Sequence, residues 1–183
     1  MQHMEGALAA LQRAIYNEIV GQRFYDDAAY YCVDLWAKDI FATLARDEEE
    51  HTRLLLVEYE ALKTRGRWID LEAARESDAE VDITGISFPD GTPEKALFPV
   101  QKTIGETVDR RADDLAALAF GIKMEQAAIE LYGLQAKVTG DPAGREAYRV
   151  LVQEETRHYD ELRAQWERLA GTAFEGVESS SVP

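Results

Sequence analysis

Residues 44–55 read LARDEEEHTRLL, and residues 151–162 read LVQEETRHYDEL. Both stretches contain Glu-x-x-His between two leucines, and the second copy lies 107 positions after the first. Residues three apart lie on nearly the same face of an α-helix, so the carboxylate and the imidazole of each copy can reach the same cation. The leucines place these polar groups in an apolar seam, where a charge without a partner is costly. The four residues are Glu48, His51, Glu155 and His158.

The same shift relates residues upstream of each copy. Glu18 and Glu125 stand thirty residues before the two motifs, and each is followed seven residues later by a tyrosine. We therefore predict a duplicated pair of helices whose polar residues converge. One Glu from each of two helices, with Glu-x-x-His from each of the other two, is the pattern of di-metal carboxylate sites in helical bundles. The predicted metal ligands are Glu18, Glu48, His51, Glu125, Glu155 and His158.

A single Glu-x-x-His in an acidic helical protein is more often a solvated helix face than a metal site. Here two copies occur, each with an upstream Glu at the same spacing, and two of the three histidines occupy these positions. This combination favours metal binding over a solvated face. His3, the third histidine, stands close to the N-terminus and is assigned no role.

The overall composition limits the classes of partner. At 183 residues the chain is long enough for one domain with a full core. Its formal net charge of −15 argues against nucleic acid or an anionic membrane as a partner. The sequence shows no signal-peptide pattern and no apolar run of the roughly 20 residues that a membrane helix needs. Cys32 is the single cysteine, so an internal disulfide is excluded and we expect a cytoplasmic protein.

Apolar spacing and capping residues predict four long helices. Asp34 and the Asp141-Pro142 pair are signals for helix starts, whereas Gly66 and Gly171 mark helix ends. The predicted spans are about 5–32, 34–64, 110–138 and 142–170. The short link within each pair of helices predicts an antiparallel hairpin.

Between about residues 66 and 109 the helical pattern breaks, apart from one short helical turn predicted at Thr92-Pro93-Glu94. We expect a long crossover that returns the chain to the opposite end of one bundle. The alternative, a linker between two independent hairpins, is disfavoured because neither hairpin can bury its apolar stripe alone. The predicted fold is an all-α, four-helix up-down bundle of two repeated hairpins over residues 1–171, followed by a flexible tail at 172–183.

Four motifs resemble the rubrerythrin family of the ferritin-like superfamily. They are YNEIVGQRFY at 16–25 with LARDEEEHTRLL, and KMEQAAIELY at 123–132 with LVQEETRHYDEL, and the resemblance spans about residues 5–170. It implies a ferritin-like bundle with two iron ions, a di-iron centre that reacts with hydrogen peroxide or dioxygen in a role against oxidative stress. The resemblance also implies the role of each ligand. Glu18 and Glu125 match the terminal carboxylates, and Glu48 and Glu155 match the bridging carboxylates. His51 and His158 match the nitrogen ligands. A site rich in carboxylates and without thiolates favours iron over zinc; manganese fits the same ligands, and manganese or zinc is an alternative in a purified sample.

Two departures from the family bear on function. Full rubrerythrins append a rubredoxin-type domain in which four cysteines hold an electron-delivering iron, whereas this sequence has one cysteine. We therefore expect electrons from an external donor such as a rubredoxin-like protein. Peroxidase members carry an extra Glu three residues after the Glu of the third helix, and Ala128 stands there in this chain. The centre is thus expected to be more symmetric, closer to a bacterioferritin-type site.

Two functions follow from these residues. The first is an oxidoreductase of di-iron peroxidase or oxidase type, in which two metal ions share the two-electron reduction of a peroxide. The second is an iron-binding protein for iron handling, which oxidises ferrous ion without a separate substrate. A storage cage of this chain alone is disfavoured, because residues 172–183 are too few for the fifth helix that such cages use.

Four further residues are predicted beside the ligands. Tyr25 and Tyr132 are predicted to lie near the ligands. They are either hydrogen-bond donors to the ligand carboxylates or simply core aromatics. Asp47 and Glu154 directly precede the two motifs, and ligating imidazoles usually give their second N–H to a carboxylate or carbonyl. We predict that Asp47 accepts from His158 and that Glu154 accepts from His51. The alternative is that both acids are solvated.

The quaternary structure predicted from the resemblance is a homodimer. A crossover of this length can exchange a hairpin between two subunits. The sequence leaves open whether such an exchange occurs.

Overall fold

The computed structural model describes residues 2–77, 82–88 and 110–175. Within these residues the chain forms five α-helices and no β-strand. The predicted all-α bundle is confirmed, and each long helix begins and ends within a few residues of its predicted bounds. The helices are α1 (Gln2–Tyr31), α2 (Leu35–Arg65), α3 (Leu71–Arg75), α4 (Arg110–Val138) and α5 (Pro142–Ala170).

Capping groups set the ends of the helices. The Asp34 carboxylate accepts from the Ala37 N–H at 2.9 Å, and Asp141 caps α5 in the same way. These bonds satisfy N–H groups that have no partner within the helix. Gly66 and Gly171 follow α2 and α5 with φ of 68° and 75°, the left-handed region that favours glycine. Local chemistry therefore decides where α2 and α5 begin and end.

Pairs of helices pack into two hairpins. α1 packs along α2, and α4 packs along α5. Contacts of α2 with α5 and of α1 with α4 join the hairpins into one bundle. In every long helix the predicted ligands fall between two clusters of buried apolar residues. The largest fully buried members are Phe24, Tyr25, Phe41, Leu44, Leu118 and Ile122 in one cluster, and Leu11, Ile15, Leu55, Tyr132, Tyr148 and Leu151 in the other.

The start of the crossover contains α3, a short helix in the segment predicted as loop. Its five residues are too few to show helical periodicity, but Asp70 caps it by accepting from the Glu72 N–H at 3.0 Å. The Arg53 guanidinium donates to the carbonyl oxygens of Ala74 at 3.4 Å and Ser77 at 2.7 Å, and so holds α3 against α2. The turn predicted at residues 92–94 lies outside the described residues.

Four polar side chains join the two hairpins at the α1–α2 turn: Asp34, Asp114, Gln165 and Arg168. The Asp114 carboxylate of α4 accepts from the backbone N–H groups of Val33 and Asp34, at 3.2 and 2.8 Å. The Asp34 carboxylate accepts from Gln165 and Arg168 of α5, each at 2.7 Å. The turn of the first hairpin is thus bonded to both helices of the second.

After α5 the chain stays against the bundle for a few residues. The Phe174 ring packs on Trp166 with the centroids 5.0 Å apart, and the Phe174 N–H donates to Glu167 at 3.0 Å. The rest of the predicted tail, residues 176–183, falls outside the described part of the chain. None of the helices in the described residues has an apolar stretch long enough to cross a membrane.

Candidate metal centre

The six predicted ligands meet at the centre of the bundle, between the two apolar clusters. α1 and α4 each supply one glutamate, and α2 and α5 each supply one Glu-x-x-His pair. Their exposed fractions are all 8% or less. The structure therefore brings together, in a buried space, Glu18, Glu48, His51, Glu125, Glu155 and His158.

These residues form two overlapping groups that can each hold a metal ion. One group is Glu18, Glu48, His51 and Glu155, and the other is Glu48, Glu125, Glu155 and His158. Within each group, one ligand atom from every residue lies within 4.8 Å of the others. Glu48 and Glu155 belong to both groups, which is the arrangement that bridging carboxylates require.

The shared carboxylates turn one oxygen toward each imidazole. The Nδ1 atom of His51 lies 3.2 Å from Oε2 of Glu48 and 3.2 Å from Oε1 of Glu155. The Nδ1 atom of His158 lies 3.7 Å from Oε1 of Glu48 and 3.0 Å from Oε2 of Glu155. Each unshared glutamate has an oxygen within 3.8 Å of the nearer Nδ1 atom. Both Nδ1 atoms therefore face the carboxylates.

Burial and mutual repulsion shift the pKa values of these groups. Burial, together with the charges of neighbouring carboxylates, raises the pKa of Glu48 and Glu125 well above the usual range. Burial opposes charge on His51, but hydrogen bonds to the surrounding carboxylates raise its pKa well above normal. Burial also works against the ionised form of Glu155, yet the adjacent imidazoles of His158 and His51 lower its pKa to about 2. The carboxylates thus repel one another, and positive charge within the site favours their ionised forms.

The donor set fits two divalent cations. Four ionised carboxylates and two neutral imidazoles carry four negative charges, which two divalent ions neutralise. The Oε1 atom of Glu155 is buried and has no hydrogen-bond partner among the described residues, although it lies 3.2 Å from Nδ1 of His51. Buried charges are normally paired or bound to metal, and this oxygen is free to bind one. Carboxylates with imidazoles and no thiolate suit iron or manganese.

Comparison with known proteins supports this interpretation. The sequence model of the rubrerythrin family matches residues 9–165, a span that contains all six predicted ligands. The chain belongs to the rubrerythrin family. The resemblance inferred from the four motifs is thereby confirmed, and the buried cluster of carboxylates and imidazoles fits a metal site of this family. No curated protein and no solved structure matched the chain.

A cavity of about 190 Å³ lies beside the carboxylates, between α1 and α4. Ala128, the position where peroxidase members of the rubrerythrin family carry an extra Glu, is part of its lining. Gly21, which corresponds to Ala128 under the repeat, also lines it. Because both positions carry small residues, the space next to the carboxylates stays open on either side. A cavity of about 150 Å³ is enough for a ligand the size of benzene, so a small oxidant fits.

Two buried tyrosines hold the unshared glutamates. The Tyr25 hydroxyl donates to Glu125, and the Tyr132 hydroxyl donates to Glu18. Each bond joins α1 to α4, so each tyrosine orients the glutamate of the other hairpin. Both rings also pack in the apolar clusters. The two roles weighed for these tyrosines, hydrogen-bond donor and core aromatic, are therefore combined.

The acids that precede the motifs are placed differently from each other. Asp47 lies beside His158 as predicted, with Oδ2 3.2 Å from the outer ring nitrogen Nε2. Glu154 makes no hydrogen bond with His51 among the described residues, so this part of the prediction is not borne out. It accepts instead from Arg157 at 3.2 Å, on its own helix. Arg157 also donates to Asp47 at 2.8 Å.

The difference comes from a break in the repeat that the sequence analysis missed. Under the 107-residue shift, Arg157 corresponds to Glu50, so α5 carries a cation where α2 carries an anion. Hydrogen bonds from Arg157 and His158 lower the pKa of Asp47 in spite of partial burial. The mismatch between positions 50 and 157 was the available signal that the outer surroundings of the two imidazoles are not equivalent.

Proposed function

We propose that the protein is a non-haem di-iron protein of rubrerythrin type, which reduces hydrogen peroxide or dioxygen with electrons from an external donor. The observation that supports this most is the pair of overlapping groups in which Glu48 and Glu155 each face both imidazoles. Two ions held by these two shared carboxylates would lie close enough to act on one small substrate. Two iron ions bound there would supply two electrons, which with two protons convert hydrogen peroxide into two molecules of water.

The surrounding residues orient the ligands in this proposal. Glu18 and Glu125 act as terminal ligands, and the tyrosine hydroxyls that donate to them restrict the directions of their remaining lone pairs. Asp47 lies against the outer nitrogen of His158, which leaves Nδ1 as the atom that faces the carboxylates. Such outer contacts fix the imidazole tautomer and raise its basicity as a ligand.

The cavity between α1 and α4 admits the oxidant. Its carboxylate lining comes from the proposed ligands, and the rest is mainly apolar, with Val20, Met124 and Ala127. An apolar entrance keeps bulk water from competing with a small neutral molecule such as hydrogen peroxide or dioxygen. The donor of electrons does not need to enter this cavity.

A second function, iron handling by oxidation of ferrous ion without a separate substrate, is favoured by one observation. Ala128 supplies no ligand, so each group has three carboxylates and one imidazole. An equal donor set on both sides is expected for a site that oxidises two equivalent ferrous ions. The two functions differ in turnover, because a reductase recycles its bound iron whereas an iron-handling site passes ferric ion on.

Matched variants test both functions. Glu48→Gln removes a shared carboxylate, whereas Glu49→Gln removes the adjacent exposed one. We expect wild type and E49Q to bind two irons per chain and to consume many equivalents of peroxide with a chemical reductant, and E48Q and Glu155→Ala to lose paired binding. Equal iron content in E48Q and E49Q would contradict the metal site. Consumption that ends after one turnover, with reductant still present, would assign the site to iron handling.

A further inference from the structure

A row of three aromatic rings runs from the carboxylates toward the surface of the bundle. The inner ring is Tyr132, whose hydroxyl donates to Glu18. Tyr132 stacks on Tyr148 with the ring centroids 6.2 Å apart, and Tyr148 meets Trp68 edge-on at 5.7 Å. These separations are normal for packed aromatic pairs. Tyrosine and tryptophan lose one electron more readily than phenylalanine, and electron transfer between them is fast over short steps of this kind.

The first hairpin contains no equivalent row among its described residues. Under the repeat, Tyr132 corresponds to Tyr25 and Tyr148 corresponds to Phe41. Phe41 stacks on Tyr25 at 5.9 Å with 23° between the ring planes, nearly the same geometry as the 6.2 Å and 24° of the tyrosine pair. Packing alone is therefore satisfied by phenylalanine. The hydroxyl of Tyr148 needs another explanation.

The charge of a buried carboxylate acts on the middle ring. Glu58 is fully buried on α2, and its Oε2 atom accepts from the Ile69 N–H at 3.1 Å. Its Oε1 atom and the Tyr148 hydroxyl are both buried without a hydrogen-bond partner among the described residues, so each remains unpaired and the two are not bonded to each other. Burial raises the pKa of Tyr148, and the Glu58 charge adds to that increase. Burial also raises the pKa of Glu58 to about 7, so its carboxylate is a stronger base than an exposed one.

Trp68 forms the outer end of the row. Its exposed fraction is 8%, and it lines a surface cavity of about 670 Å³ together with Arg67 and Leu62. The indole lies tightly against the backbone of Gly144, because a methyl group placed there would come within 2.5 Å of the indole Cε2 atom. The ring is therefore held in one position between Tyr148 and the cavity.

We propose that Trp68, Tyr148 and Tyr132 form a one-electron path between the carboxylate site and the surface cavity at Trp68, with Glu58 as the proton acceptor for Tyr148. The path rests on the proposed function, since a redox centre at the carboxylates is what it would serve. It gives an oxidising equivalent a route to the surface when the electron donor is absent. In the part of the chain that the structure describes, the partner of Tyr25 at the corresponding position is Phe41, which is harder to oxidise than tyrosine.

The central step balances in electrons and protons. Once Trp68 has lost one electron to a one-electron oxidant in solution, Tyr148 gives an electron to the Trp68 radical cation. The phenolic proton of Tyr148 then passes to the Glu58 carboxylate, when a side-chain motion brings the unpaired Oε1 atom to the hydroxyl. The products are neutral Trp68, the neutral Tyr148 radical and the Glu58 carboxylic acid.

The test uses the full chain without metal and a photogenerated ruthenium(III) complex as the one-electron oxidant. Tyr30 and Tyr31 are exposed, so both are first replaced by phenylalanine to remove directly oxidised surface tyrosines. In this background we expect a flash to produce a tyrosyl radical, detected by electron paramagnetic resonance. Trp68→Phe and Tyr148→Phe should each lower the radical yield several-fold.

Two further variants separate the path from general oxidation. Trp36 is 69% exposed and lies outside the row, so Trp36→Phe should leave the radical yield unchanged. Glu58→Gln removes the proton acceptor and should slow radical formation. Equal yields in W36F, W68F and Y148F would overturn the proposal.

A lower radical yield can be distinguished from a folding defect and from a loss of iron binding. Y148F removes a hydroxyl that has no hydrogen-bond partner among the described residues, and thermal unfolding followed by circular dichroism checks that it folds like wild type. The experiment contains no metal, whereas the proposed function is decided by the iron content of E48Q and E49Q. Failure of the path and failure of the proposed function are therefore distinguishable.

Discussion

Replacing Glu58 with glutamine should make the protein more stable than wild type at alkaline pH. Glu58 is fully buried, and burial, with smaller contributions from the charges of Asp141 and Asp70, raises its pKa from 4.5 to about 7. Between these two values the folded protein binds more protons than the unfolded chain, so the free energy of unfolding falls as pH rises. One pKa unit corresponds to about 1.4 kcal/mol, so the ionised form of Glu58 costs at most about 3.5 kcal/mol above pH 7.

Glutamine keeps an oxygen that accepts from the Ile69 N–H, which Glu58 now binds at 3.1 Å, and it removes the charge. We expect E58Q to exceed wild type by about 1–3 kcal/mol at about pH 8.5 and to match it at about pH 4.5. The assay is urea unfolding at both pH values, with identical metal loading of the two proteins. Glu60→Gln is the control, because Glu60 is exposed on the same helix and pairs with Lys63 at 3.1 Å. A difference between E58Q and wild type that does not change with pH would refute the raised pKa.

Three other predictions concern packing, the outer contacts of the imidazoles and assembly. Gly144→Ala should destabilise the protein by about 1–3 kcal/mol in urea unfolding, because the added methyl overlaps the Trp68 ring; Gly133→Ala, where a methyl meets nothing within 4 Å, should instead stabilise α4 by about 0.5–1 kcal/mol. Asp47→Ala should weaken iron affinity about 10–100-fold in competition with a chelator, and Glu154→Ala should not, since only Asp47 contacts a ligating imidazole; equal losses would contradict this difference. Light scattering at low concentration should show a homodimer, and a monomer would reject that expectation.

The helices and the converging carboxylates were predictable because their signals are local. Asp34, Gly66 and the apolar stripes act within a few residues of the boundaries they set. The Glu154 contact was predicted from symmetry, and it failed because the side chain at one position, Arg157 in place of Glu50, redirects the hydrogen bonds of its neighbours. A repeat in the sequence predicts where the backbone lies. It does not predict which hydrogen bonds a long, charged side chain forms.

Longer-range features had no signal in the sequence pattern. Trp68 stands in the crossover, and its position beside Tyr148 depends on the close approach of the ring to Gly144 in the second hairpin. The five residues of α3 are held by Arg53 of α2 rather than by their own periodicity. Contacts of this kind appear only when the two hairpins are docked.

The sharing of Glu48 and Glu155 between the two groups also has a consequence for the order of assembly. The group around His51 is completed by Glu155 of the second hairpin, and the group around His158 is completed by Glu48 of the first. Neither hairpin alone holds a full set of ligands, so an ion can be captured tightly only after the hairpins have docked. Metal binding and hairpin docking are then thermodynamically coupled, so each stabilises the other. Chelation should therefore weaken the docking of the two hairpins.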